Sequence, residues 1–305
     1  MLKNFRNSIV GLAVGDALGM PAEGMTREQI KNIYGCIEDY IPSPYGDLKA
    51  GEWTDDTEQM LILAESILNT IYFDPEDFAD RLKRWYFETT SKRVGPTTRR
   101  AIYNLINGIP WSKSGIDSDS CGAAMRVTPV GLVYSFSLDL VEKYAELSAI
   151  VTHRNYSAIG AAVAVAVAVA CNIRGFSLDE LVEEVSKRVI GYDPLVAEKI
   201  EYAYEISDKD VDFAVGKIGN SISSFDSVPM AFYCFFAGKN FEESVKLAAN
   251  CGGDTDSIAA ISGSLKGSAG FEVPSRWLEG LKDVDRLLDV AEELYKLYEK
   301  IIKLY

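Results

Sequence analysis

A chain of 305 residues, with 48% apolar and 25% charged side chains, is long enough to bury a sizeable core, and this balance excludes disordered, collagen-like and fibrous classes. A formal net charge of −14 excludes a broad nucleic-acid-binding face, because phosphate backbones demand a basic footprint. Five cysteines, Cys36, Cys121, Cys171, Cys234 and Cys251, are odd in number, widely spaced and without a CxxC pair. They indicate neither a disulfide framework nor a thiolate zinc centre, and a reducing cytoplasm fits them.

At the N-terminus Lys3 and Arg6 precede an apolar run over 9–14, but Asp16 interrupts it and no cleavage site follows, so the segment reads as mature protein. Next comes GEWTDDTEQ at 51–59. Thr54 is placed to cap a helix whose apolar residues follow in MLILAESIL, with Asp55 and Asp56 against the positive end of the helix dipole. FADRLKRWYF continues with helical spacing, and GPTTRR predicts a helix start at Pro96–Thr98 with solvated Arg99 and Arg100. DSDSCG at 117–122 imitates the start of an EF-hand loop, yet its fifth position is Cys121 and its twelfth is Thr128, which excludes that site.

In SAIGAAVAVAVAVACNIRG alanine and valine alternate. Alternation suggests a strand, but alanine favours helix over strand, and the apolar core is too short to cross a bilayer, so a buried central helix is predicted, its small side chains allowing neighbours to approach closely. LDELVEEVSKRVI and the C-terminal VDRLLDVAEELYKLYEKIIKLY are also helical in period. Gly95–Pro96, Gly108–Pro110, Gly191–Pro194 and Val228–Pro229 are expected to end helices. The expected fold is all-α: a single compact orthogonal multi-helix domain over 1–305, with about a dozen helices of ordinary length.

A second acidic helix start lies in NCGGDTDSIAAISGSLKGSAG, where Asp254, Thr255, Asp256 and Ser257 precede small and apolar residues. Capping explains either cluster alone, but two such starts with one odd composition suggest convergence. Four carboxylates brought together would repel unless cations lie between them. Two divalent ions would balance Asp55, Asp56, Asp254 and Asp256, and a donor set of hard oxygens points to Mg²⁺, Mn²⁺ or Ca²⁺. Only His153 is available as an imidazole, so a zinc centre of several histidines within one chain is excluded.

Five motifs in order, GLAVGDALGMPAEG, WTDDTEQM, CGAAMRVTPVGL, VTHRNYSAIGAA and ANCGGDTDSIAAISGSLKGSAG, resemble those of the ADP-ribosylglycohydrolase family. The resemblance implies an all-α fold holding two Mg²⁺ or Mn²⁺ ions on Thr54, Asp55, Asp56, Asp254, Asp256 and Ser257. It implies hydrolysis of the glycosidic bond of ADP-ribose joined to a protein side chain or a small acceptor, with Glu23, Asp55 and Asp56 in catalytic roles. Asp16, Ser120, Cys121, Gly122 and His153 are expected at the substrate. Three positions depart from the family pattern: Ser257 replaces a frequent threonine, Ser120–Cys121–Gly122 replaces an asparagine flanked by glycines, and Tyr156 replaces a frequent proline. Two other functions use the same residues: a non-catalytic ADP-ribose binder, and a two-metal phosphoesterase. The expected partners are ADP-ribosylated protein or an ADP-ribose-containing small molecule, with no nucleic acid and no membrane.

Overall fold

The computed structural model describes residues 1–89 and 93–304. Among them are seventeen α-helices, two 3-10 turns and no strand longer than an isolated bridge. The count exceeds the expected dozen because helices such as Trp111–Ser114, Thr128–Val133 and Ser275–Gly280 are too short to show a periodic pattern. One expected helix end is corrected. Pro229 lies inside the Ser224–Ala237 helix, where it removes the N–H that would bond the Phe225 carbonyl. Lys199 supplies the missing donor, its Nζ lying 3.2 Å from that oxygen, and the helix runs on.

The helix Leu2–Gly19 and the helix Thr255–Ser268 run antiparallel in backbone contact. Small residues recur at every fourth position on both, so two flat stripes meet. A methyl group on Gly15 would lie 2.0 Å from the Ala259 carbonyl oxygen, which leaves no room for any side chain. Hydroxyls stitch the seam, with Thr255 Oγ1 donating to the Gly19 carbonyl at 2.8 Å and Ser8 Oγ to the Ser264 carbonyl at 3.0 Å. This pairing sets the end of the first helix beside the start of the other.

The alanine–valine segment forms the helix Tyr156–Arg174, and Ala158 through Cys171 are all buried. By length and composition it could cross a membrane, which corrects the expectation of too short an apolar core, but helices 128–133, 138–150, 178–189, 224–237 and 255–268 surround it. The C-terminal helix Val284–Ile302 covers the N-terminal one, with Phe5 edge-on to Tyr295 at 5.3 Å between ring centres. Against this frame the helix Asp55–Thr70 presents its first turn toward the Gly19 and Asp254 ends.

Candidate active site

The TDDT helix begins as its sequence predicts. Thr54 is extended, and its hydroxyl accepts the Asp56 N–H at 3.3 Å. Asp16 completes the cap from the neighbouring helix. Its carboxylate takes the Thr54 N–H at 3.0 Å, the Thr57 N–H at 3.1 Å and the Thr57 hydroxyl at 2.6 Å. Asp16 is fully buried behind this turn and does not line the cleft described below, so its expected place at the substrate is corrected. The orphan donors of the helix start thus hold this carboxylate as a cap.

The second acidic start is built differently. Gly253 has φ +74°, and a Cβ there would sit 1.8 Å from the Asn220 carbonyl oxygen, so only glycine fits. Its N–H donates to the Met25 carbonyl and its own carbonyl accepts the Gly24 N–H, both at 2.8 Å, which ties the loop carrying Glu23 to this turn. Asp254 is the N-cap residue of the Thr255–Ser268 helix, yet its side chain makes no capping bond. Instead Cys121 Sγ donates to Asp254 Oδ2 at 2.9 Å and lies 3.3 Å from Ser257 Oγ. The thiol is buried and pushed well above its ordinary pKa by that burial and by Asp254 and Asp56, so it is a neutral donor rather than a nucleophile.

Both starts open on one cleft of about 310 Å³, which Glu23, Asp55, Asp56, Asp254, Asp256 and Ser257 line. Ser120, Cys121, Gly122 and His153 line it too. A larger hollow of 490 Å³ lies elsewhere, around Arg27, Lys31 and Asp212, but Arg27 and Asp212 are ion-paired and it holds no orphaned group. The cleft does hold orphans: Asp56 Oδ2 and Asp256 Oδ1 are buried without a hydrogen-bond partner among the described residues. Burial raises Asp55 to about 8 and Asp254 to about 6, with Asp56 and Asp256 well above the carboxylate range, and the neighbouring acids add to each shift.

Such a set is under-compensated as protein alone, and its hard oxygens fit a divalent cation. No three His, Cys, Asp or Glu side chains among the described residues close on one point by themselves. Any ion held here would need hydroxyl oxygens beside the carboxylates. Ser257 is in the cleft, and Thr54 Oγ1 stands at its edge, 3.4 Å from Asp56 Oδ1 and outside the cleft wall.

Glu23 is half-buried at the mouth, where Arg93 Nη1 donates to its Oε2 at 2.8 Å. Arg93 also bonds Asp47 and Ser43, so it braces the Glu23 loop from the side. Sequence reasoning missed Arg93 and the wall residues Thr97 and Thr98. An arginine in a loop carries no periodic or motif signal, and the contact with Glu23 spans seventy positions. Arg99 and Arg100 are exposed and do not line the cleft. His153 is buried, with Nε2 3.0 Å from Ser120 Oγ and Nδ1 2.8 Å from Thr152 Oγ1. Burial, helped by the nearby Arg126 charge, lowers its pKa to about 3, so the ring is neutral.

The family model of ADP-ribosylglycohydrolase matches residues 1–302. An uncharacterized protein of Archaeoglobus fulgidus is 64% identical over all of both chains. The ADP-ribosylarginine hydrolase Tri1 of Serratia proteamaculans is 29% identical, covering 96% of this chain and 79% of its own. The human ADP-ribosylhydrolase ARH3 is 26% identical, covering 98% and 94%. A solved ADP-ribosylglycohydrolase-related protein complex superposes with a TM-score of 0.82 at 30% identity, over 97% of this chain and 98% of that one. The chain belongs to the ADP-ribosylglycohydrolase family, whose members are hydrolases of ADP-ribose linkages.

Proposed function

We propose that this protein is a metal-dependent hydrolase that cleaves the glycosidic bond joining ADP-ribose to a protein side chain or small acceptor. One observation supports the metal dependence: Asp56 and Asp256, from two helix starts two hundred positions apart, both line one cleft, and Asp56 Oδ2 and Asp256 Oδ1 are buried without partners among the described residues. Asp55, Asp56, Asp254, Asp256 and Ser257 would hold two Mg²⁺ or Mn²⁺ ions, with Thr54 at the edge of the set. Bound there, the ions would neutralise the carboxylates, fix ribose hydroxyls and lower the pKa of a water.

The chain's own groups supply the rest. The Glu23 carboxylate, held by Arg93 at the mouth, is placed to take a proton as water adds to the anomeric carbon and the bond to the acceptor breaks, and to return it to the leaving group. Ser120, held by the neutral His153 through Nε2, offers a hydrogen bond to ligand oxygens without adding charge. Relatives named for arginine-linked ADP-ribose and for ADP-ribose hydrolysis support the substrate class.

Incubation with arginine-, serine- and acetyl-linked ADP-ribose, with Mg²⁺ or Mn²⁺ and with a chelator, tests the proposal by its products. Free ADP-ribose that disappears with the chelator is expected. AMP as product would replace it with phosphoesterase chemistry, and an unchanged ligand that still binds would make the protein an ADP-ribose binder.

A further inference from the structure

Arg126 is fully buried and has no direct carboxylate partner among the described residues. Its Nη1 donates to Gln59 Oε1 at 2.7 Å, and its Nη2 to Thr152 Oγ1 at 2.7 Å and to the Ser148 carbonyl at 2.9 Å. Its Nε finds no acceptor among the described residues, and its guanidinium lies 5.1 Å from the centre of the Phe78 ring. A buried guanidinium is costly, so a place in the core without a salt bridge calls for another explanation than stability.

The explanation lies in the direction of the bonds. A guanidinium can only donate. Gln59 must therefore turn its oxygen toward Arg126, which aims its NH₂ at Asp55, and Gln59 Nε2 donates to Asp55 Oδ2 at 2.7 Å. Thr152 Oγ1 likewise accepts from Arg126, and among the described residues its hydrogen meets no acceptor other than His153 Nδ1, at 2.8 Å. The proton of the neutral imidazole then resides on Nε2, pointing at Ser120 Oγ at 3.0 Å on the cleft wall. With His153 as donor, the Ser120 hydroxyl is free to donate onward to Thr97 or to a ligand oxygen.

We propose that Arg126 is a positioning residue: through Gln59 it fixes the Asp55 carboxylate, and through Thr152 it fixes His153 as the Nε2–H tautomer, so that both walls of the cleft take their polarity from one buried donor. The catalytic groups remain those that touch the ligand, and Arg126 acts through them. Only the turnover arm of the test below rests on the function proposed above.

His153 is the sole histidine, so protein labelled with ¹⁵N-histidine reports one imidazole. At neutral pH the wild type is expected to show the Nε2–H tautomer alone. Thr152→Val should convert it to a mixture or to Nδ1–H, and Thr152→Ser, which keeps the hydroxyl, should restore it. A wild type that is already mixed or Nδ1–H, or a Thr152→Val spectrum unchanged from wild type, overturns the proposal whatever the substrate proves to be. Single-turnover hydrolysis tests the coupling. Gln59→Leu and Thr152→Val each lose their bond to Arg126, so each should slow the step about tenfold or more, while the double variant should be slowed far less than the product of the two. Full multiplicativity would mean that Gln59 and Thr152 act separately and that Arg126 links nothing.

Discussion

At the start of the Asp55–Thr70 helix the orphan N–H groups are met by side chains, Thr54 from the cap and Asp16 from the adjoining helix. At the start of the Thr255–Ser268 helix no side chain caps, and Asp254 is instead held by a thiol from another loop. The two sequences look alike, and the contrast teaches that similar acidic helix starts serve different local purposes. The first is stable by its own hydrogen bonds and carries Asp55 and Asp56 as additions. The second takes no side-chain capping bond from its acids, and its geometry is set by glycine turns and by the seam with the first helix.

The largest expected effect breaks the seam that holds the second start. Gly15→Ala puts a methyl 2.0 Å from the Ala259 carbonyl and should destabilise the fold by about 3 kcal/mol or more, read as a drop in unfolding midpoint. The next sets the two starts against each other in protein freed of divalent ions. Asp16→Asn removes an acceptor that two N–H groups and a hydroxyl share, and should cost about 2 kcal/mol. Asp256→Asn removes a buried carboxylate with an orphaned oxygen and should leave the melting temperature unchanged or higher. Equal losses in both variants would erase the contrast.

A smaller effect concerns the far end of the second helix. Lys266 is buried, donates to the Phe235 carbonyl at 2.9 Å, and has its pKa lowered by burial from 10.5 to about 8. Between these values the unfolded chain keeps the proton that the native state has lost, so this residue makes stability rise as pH goes from about 8 to 10.5. Denaturant melts of wild type and Lys266→Met across that window should differ by this slope, the variant lacking it.

Much of this was legible in the sequence because it is local. Thr54 as a cap, the alanine–valine helix and the helix start at Pro96 follow from propensity and capping chemistry. The paired acidic motifs pointed to convergence because charge repulsion requires an explanation wherever they meet. What was not legible depends on distant partners. Asp16 reads as a candidate ligand contact until it is seen buried behind the helix start, accepting from Thr54 and Thr57. Pro229 reads as a helix end until Lys199 is seen to serve the carbonyl it frees. Arg93 and Arg126 act through contacts with residues 23 and 59, which no periodicity announces.

The central claim is that the two helix starts make a single cation site, and calorimetric titration of Mn²⁺ into four proteins tests it most directly. Wild type is expected to bind two ions, and Asp56→Asn and Asp256→Asn are each expected to weaken binding by about tenfold or more. Because the two carboxylates would share the same ions, the double variant should lose much less free energy of binding than the two single losses added together. Strict additivity, or undiminished Mn²⁺ affinity in either single variant, would mean that the two acidic starts stand apart and share no ion.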